Sequence, residues 1–356
     1  MIQATKRVAA ALGAIALSSL VLAGCSGGQE TPAASGGSDV VTIDLGSTTV
    51  DIPAGTKPEI AMFAGSGIAY QTAYQETVKE LAAKYGINIT YFDSMFDPTT
   101  QLNQVRSAIQ DGKYNAFMIE NYSGEAACDL LTKDAPAAGI VVSQLTNPTC
   151  DQATKPAGDE FWSPGTLNSV GAISTVTYYT AWVREAMKML GDGDQKVAVL
   201  NGPPLVAATL NTDKAFADND VTPVANLNSD YTTATALKQT SDILQANQDI
   251  DAIFTVGPNM TVGVVTALQQ AGKKAGEVAV FEVGGTEANA KLVEDGWLTM
   301  AVPYTPRTVA TTAVDEIIAA FEGKQGAHFL PALNEGTADD PFLITKDTTS
   351  SYPYEY

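Results

Sequence analysis

Residues Asp251 to Leu268 read "DAIFTVGPNMTVGVVTAL", a strand, a turn and a helix in one short run. "AIFTV" (Ala252 to Val256) is a short, unbroken apolar run with β-branched and aromatic members, the pattern of a strand buried on both faces. The apolar residues after Met260 continue as a helix. Between them lies a polar turn, Gly257, Pro258 and Asn259. Strand, short turn and helix in close succession predict a unit of a parallel sheet covered by helices. Asn259 is a candidate for lining a cleft at the strand end, and also for the plain N-cap of the helix; the two roles are compatible.

Outward from this unit the same alternation recurs. Upstream, "EIAMFA" (Glu59 to Ala64), "INITYFD", "AFMIEN" (Ala116 to Asn121) and "GIVVSQL" (Gly139 to Leu145) are predicted strands. Helices separate them over Ala69 to Gly86, around "PTTQLNQVRSAIQDG" and over "GEAACDLLTKDA". A stretch rich in Pro, Gly, Asn and Thr, "TNPTCDQATKPAGDEFWSPGTLNS" (Thr146 to Ser169), then reads as a crossing between lobes. A long helix is expected from about Val170 to Leu190, followed by "KVAVLNG", "VTPVANL", "AIFTV", "VAVFEVG" and "LTMAVPY" as strands. Helices are expected between them, and a last long one over Pro306 to Phe321. The halves are two similar α/β units, and no short-period repeat is present. "VVTIDLGSTTVDIPAG" (Val40 to Gly55) alternates around a Gly-Ser turn and predicts a hairpin ahead of the first lobe.

The bulk numbers agree with a large folded body outside the cytoplasm. The chain has 356 residues, of which 45% are hydrophobic and 17% charged. Its 20 basic against 40 acidic side chains leave a net charge of −20, and −22 once a leader holding two of the cations is removed. Such a surface repels nucleic acid and anionic lipid, so neither is expected as a partner. Lys6 and Arg7 precede an apolar run, Val8 to Ala23, too short for a good membrane span. "LAGC" (Leu22 to Cys25) then places small residues before a thiol, which resembles a bacterial lipoprotein signal with Cys25 as the lipidated residue. Ser26 to Asp39 has neither periodicity nor core formers and reads as a tether. Cys128 and Cys150 remain. In an oxidising compartment a bond between them would close a loop of about 20 residues, worth roughly 3 kcal/mol; two free buried thiols are the alternative.

Catalytic chemistry is hard to find. The one histidine, His328, has no partners that would make a triad or a zinc site, and reads as a surface or packing residue. "GDGDQK" (Gly191 to Lys196) has Lys196 where a calcium loop needs a ligand. "FEVGGTEANA" has Gly284 and Gly285 but neither a glycine fingerprint nor a P-loop lysine. No cofactor, no metal and no enzymatic activity are expected. Two lobes whose strand ends face each other would instead converge on a cleft.

The order of these units and their local wording resemble the type I periplasmic binding proteins, in the ribose-like branch that serves ABC importers. The resemblance covers about Pro58 to Ala332 and rests on several passages. These are "EIAMFAGSGIAYQTAYQETVKELAAKYG", "PTTQLNQVRSAIQDGKYNAFMI", "TVGPNMTVGVVTALQQAGK", "VGGTEANAKLVEDGWLTMAVPYTP" and "RTVATTAVDEI". It implies two Rossmann-like lobes with parallel sheets, joined by a three-segment hinge that closes over one small solute. The domain plan expected is a leader over 1–24, a tether over 25–39 and a hairpin over 40–57. A first lobe follows over 58–146 with 304–325, a second over 147–303 with 326–345, and a tail over 346–356.

The departures bear on the ligand. Sugar binders of this family usually grip hydroxyls with Asp and Arg side chains; here Gly257-Pro258 stand in place of the family's Asn-Asp, Gly284 in place of an Asp, Thr209 in place of an Arg, and Tyr304 in place of a Gln before a Pro on the last crossing strand. The Asp-Arg pair after a strand like "IVV" has no counterpart in "SQLTNP". Candidate replacements are Ser66, Tyr70, Asn121, Tyr122, Gln144, Trp162, Asn201, Asn259 and Tyr304, with the carboxylates Glu120 and Glu282 near strand ends. Tyr122 and Tyr304 lead because they follow strands where the cleft should lie; Trp162 is weaker because it also suits packing of the crossover. The expected function is an extracytoplasmic, lipid-anchored, monomeric solute-binding lipoprotein that delivers a small polar solute, sugar or polyol first, to an ABC permease. The alternatives are a ligand-sensing receptor of the same fold feeding a sensor kinase, and a binder of cationic or aromatic small molecules. The missing arginines favour a cationic or aromatic ligand over an anionic one.

Overall fold

The computed structural model describes residues 39–204, 206–334 and 336–356; the expected leader, Cys25 and most of the tether lie outside the described residues. Strands β1 (Val40–Asp44) and β2 (Thr49–Pro53) pair antiparallel around the Gly46-Ser47 turn.

The first lobe then runs β3 (Glu59–Ala64), α1 (Ala69–Tyr85), β4 (Asn88–Asp93), α2 (Pro98–Asp111), β5 (Ala116–Ile119) and α3 (Gly124–Asp129). A π-helical turn, Leu130–Asp134, leads to α4 (Ala135–Ala137), β6 (Val141–Leu145) and β7 (Asn168–Val170). Helix boundaries follow local chemistry. Asp97 caps α2 by accepting from the Thr100 N–H, Pro98 fits the first turn, and Gly86 ends α1 in the left-handed conformation. Phe63, Phe117, Ile119 and Val142 are fully or almost fully buried on the α2 and α3 side of the sheet. Met62, Met118 and Val141 fill the opposite side, toward α1.

The second lobe runs α5 (Val176–Leu190), β8 (Val197–Asn201), α6 (Ala207–Asp218), β9 (Ala225–Asn228), α7 (Thr233–Ala246), β10 (Ala252–Thr255), α8 (Pro258–Gln270), β11 (Ala279–Gly284), α9 (Glu287–Glu294) and β12 (Met300–Pro303). The chain then returns to the first lobe as α10 (Pro306–Phe321), which packs on α1, and β13 (Phe329–Leu330). Both sheets are parallel, in the orders β13-β7-β6-β5-β3-β4 and β12-β11-β10-β8-β9. Each reverses direction beside its first strand, between β3 and β5 in one lobe and between β8 and β10 in the other. Those reversals are where open α/β sheets leave a crevice at the strands' carboxyl ends.

Three expectations change. Val170 is the end of a strand, not the start of a helix: Asn168–Val170 pairs with β6, and α5 begins after Thr175, whose hydroxyl accepts from the Tyr178 N–H. Thr146 to Ser169 is therefore an excursion of the first lobe. The Cys128–Cys150 disulfide, with Cα atoms 4.5 Å apart, ties it to α3. The crossing comes at residues 171–175, because the polar side chains of β7 find partners in the first lobe: Ser143 donates to Asn168 Oδ1 and Gln144 Nε2 to Ser169. Likewise β13, expected in the second lobe, pairs with β7. Lastly, Gly257 is the N-cap position of α8 and Pro258 its first residue, so Asn259 lies inside the helix and is no cap.

The three crossings lie side by side. The Gly171 and Ala172 N–H groups donate to Leu330 and Pro331 carbonyls, and the Thr305 hydroxyl donates to the Ala332 carbonyl. Among the described residues no helix is long and apolar enough to cross a membrane.

Candidate functional site

The carboxyl ends of β3 and β5 place Glu120 at the seam of the two lobes. It is only 7% exposed. Gln71 Nε2 from α1 and the Tyr122 hydroxyl both donate to its Oε2. Oε1 has no protein donor among the described residues, and no ion pair involves this carboxylate. Burial raises its pKa to about 7, and the two hydrogen bonds only partly oppose that rise.

Tyrosines surround it. Tyr70, Tyr74 and Tyr91 come from the first lobe, Tyr122 follows β5, Tyr304 stands on the crossing from β12 to α10, and Tyr231 precedes α7 in the second lobe. All six phenols are pushed above their ordinary range by burial first, and the Glu120 charge adds to the rise in each. One carboxylate is thus felt by rings from both lobes and from the hinge. Tyr304 reaches about 12 and shares a 2.8 Å hydroxyl contact with Tyr179; its ring meets Tyr70 edge-on at 5.7 Å.

Each lobe also lays one ring over a glycine. Phe96, after β4, covers Gly65 so closely that a Cβ there would lie 2.7 Å from the ring. Tyr231, after β9, covers Gly202 and Gly257, where a Cβ would lie 2.1 Å and 3.3 Å from its atoms. Small residues after β3, β8 and β10 are therefore what lets these rings lie down at the strand ends.

The sequence-predicted candidates divide. Tyr70, Tyr122 and Tyr304 gather around Glu120. Ser66 lies on the same rim, donating to Asp93 at the end of β4. Asn121 and Gln144 are buried on the other side of the first sheet, with amides donating to Thr149 and Ser169 and with each side-chain carbonyl oxygen lacking a partner among the described residues. Asn201 is fully buried within the second lobe and donates to Asp213 and Asn226. Glu282 is spent on its own turn: its oxygens accept from the Gly285 N–H and from Asn289 Nδ2. Asn259 is exposed. Trp162 stacks on His328 at 3.8 Å and sits against Gly46, so it packs the hairpin to the first lobe. Gln71, Tyr91, Phe96, Tyr179 and Tyr231 were not expected. Phe96 and Tyr231 share a readable pattern, an acid or amide, a serine, any residue, then an aromatic before a helix cap: "DSMFD" (Asp93 to Asp97) and "NSDYT" (Asn228 to Thr232).

Two surface hollows, of about 500 and 510 Å3, lie away from the seam. One sits under the amino ends of the second sheet beside Asp251 and Thr299, the other beside Gly191 and Gly193. Neither joins residues of the two lobes. No group of His, Cys, Asp and Glu among the described residues could hold a metal ion.

The comparisons with known proteins agree with this geometry. A family described as "Periplasmic binding protein domain" matches residues 61–325. A ribose import binding protein of Bacillus subtilis is 24% identical over 293 residues, 81% of this chain and 85% of that one. A ribose import binding protein of Escherichia coli is 25% identical over 284 residues, covering 78% and 90%. Among solved structures, a Caulobacter myo-inositol binding protein superposes with a TM-score of 0.70 at 18% identity, over 85% of this chain and 98% of that one. A Mycobacterium smegmatis ABC transporter solute binding protein with bound glycerol gives 0.69 at 21% identity, over 83% and 96%. At such identities the structural likenesses speak for the fold alone.

Proposed function

This chain belongs to the ribose-like type I periplasmic binding proteins, and on that premise we propose that it captures a small polar solute between its two lobes and hands it to an ABC importer. The observation that carries the reading is the meeting of both sheets' carboxyl ends at one buried carboxylate, whose charge reaches Tyr70 and Tyr122 in the first lobe, Tyr304 in the hinge and Tyr231 in the second. A solute seated there touches both lobes at once, and only such contacts favour the closed form over the open one. The relatives' names put sugars and polyols first among solutes to screen. They are named as binding proteins, so no reaction is assigned to this chain.

Ser66, Tyr70, Tyr122 and Tyr304 are the predicted residues we place in the site, joined by Glu120, Phe96 and Tyr231. Cys25, outside the described residues, is the proposed lipid anchor, which would hold the protein at the outer side of the cell membrane; a monomer is the proposed state. A sensing role for the same closed form remains the second reading, favoured only by the shared fold.

Thermal unfolding against a library of sugars, polyols, amines and aromatics tests the proposal. A ligand present at about 100 times its dissociation constant adds about 2.7 kcal/mol. That gain should disappear in Tyr304→Ala. A full library without one stabilising compound would leave the solute-binding reading without support. Mass spectrometry of the membrane-extracted chain checks the anchor: an acylated Cys25 is expected.

A further inference from the structure

The two lobes present matching aromatic shelves. In the first, the Ser94 N–H donates to the Ala64 carbonyl at the end of β3; in the second, the Ser229 N–H donates to the Asn201 carbonyl at the end of β8. Two residues later stand Phe96, with φ 59°, and Tyr231, with φ 61°. Neither is a glycine, and a bulky residue in the left-handed region costs about 1–3 kcal/mol. Each drops its ring on the glycine after the lobe's first strand, Gly65 or Gly202. Strain of the same kind, at the same place in both halves, holds each ring over the carboxyl end of its lobe's first strand.

Between these shelves sits Glu120, nine-tenths buried, whose Oε1 has no protein donor among the described residues. Tyr122 links the two features: its ring lies 5.3 Å from that of Phe96, and its hydroxyl bonds the carboxylate. A hydroxyl from Tyr122 and an amide from Gln71 are its hydrogen-bond partners, and among the described residues it has no lysine or arginine partner. A buried carboxylate lacking a cation is costly, and a ligand that supplies one recovers that cost. Aromatic faces carry negative charge density and add to the attraction.

We propose that the solute of this cleft is a small organic cation, a protonated or quaternary amine, whose charge is received by Glu120 and whose body lies between Phe96 and Tyr231. The proposal rests on the solute-binding reading and narrows the solute from the neutral sugars of the relatives' names to amine-bearing compounds, hydroxylated or not. Neutralisation of the carboxylate by the guest also explains a site that has no arginine for hydroxyls or for an anion.

Calorimetric titration of the purified full chain with choline and glucosamine, each beside its neutral counterpart dimethylbutanol or glucose, tests it. At least one amine is expected to bind about 30-fold more tightly than its counterpart, the scale of a desolvated cation–π contact. Glu120→Gln should erase that preference. Tyr231→Leu and Phe96→Leu should each weaken the amine about tenfold, and they keep the test decisive if the Glu120 variant fails to fold. Equal or tighter binding of the neutral member in both pairs overturns the cation and leaves the solute-binding reading standing. No heat from any of the four at millimolar concentration overturns the proposal and counts against that reading as well.

Discussion

Burial pushes the Glu120 carboxyl up to about 7 in the folded chain from an ordinary 4.5, and this shift contributes a pH dependence to the free protein's stability. Between those values the folded state binds more protons than the unfolded one, so stability is highest below 4.5, falls as pH rises toward 7 and then levels. The loss from this group is at most about 3 kcal/mol. Glu120→Gln keeps a similar shape without the charge. Urea denaturation from pH 5 to 8 should show a flatter profile for the variant; an unchanged slope would remove Glu120 as the cause. A second residue-scale expectation concerns Gly202, whose backbone is outside the left-handed region. The nearest atoms a methyl there would meet all belong to Tyr231, its hydroxyl oxygen at 2.1 Å. Gly202→Ala should therefore displace the ring and weaken whatever ligand the screen finds by about tenfold, with far-UV circular dichroism unchanged. Tyr122 and Tyr304 were legible because each directly follows a recognisable strand. Tyr231 was not, because "NSDYT" follows a weak, half-exposed strand, and its ring reaches the seam only through a left-handed turn.

At the scale of elements, the alternation of apolar runs and amphipathic segments located most strands and helices to within a few residues. Strand β7 escaped because three residues, two of them polar, show no period; its buried polar side chains find partners on β6. Packing of α7 on α8 depends on another close approach. A Cβ on Gly263 would lie 2.4 Å from the Thr233 carbonyl oxygen and 2.8 Å from the Leu237 nitrogen. Both are backbone atoms that cannot swing aside. Gly263→Ala should thus cost about 1–3 kcal/mol in chemical denaturation; a cost near zero would mean the helices separate freely. The disulfide ties α3 to the loop before β7 across a separation of 22 residues. Its reduction should lower unfolding stability by about 3 kcal/mol, with hydrogen exchange rising first over residues 146–166. Uniform protection after reduction would contradict that local role.

For the whole molecule the decisive contacts are those that no single lobe contains. The last residues, expected as a tail, are built into the hinge. Glu355 accepts from the Arg307 and Thr308 N–H groups at the start of α10 and from Asn334. The next residue, Tyr356, donates its hydroxyl to the Gly284 carbonyl of the second lobe while its ring meets Tyr70 of the first at 5.7 Å. Neighbouring residues thus hold opposite halves. Glu355→Ala leaves several donors without their acceptor and should cost about 2–3 kcal/mol in urea denaturation; a cost under about 0.5 kcal/mol would show the segment to be a passive appendage. X-ray scattering provides the matching global test: the radius of gyration should fall when a screened ligand is added, since closure is the purpose of a two-lobed binder.

The α/β class, the two similar halves and the hairpin are legible from residue order alone. These follow from the period of apolar residues, which is local. The tertiary structure alone decided which strands share a sheet, where the chain crosses between lobes, and which polar side chains meet at the seam. Those depend on contacts between residues far apart in the chain, as Glu120 with Gln71, Gly202 with Tyr231 and Tyr304 with Tyr179. Periodicity carries no information about such partners: it tells which face of an element is buried, but not what is buried against it.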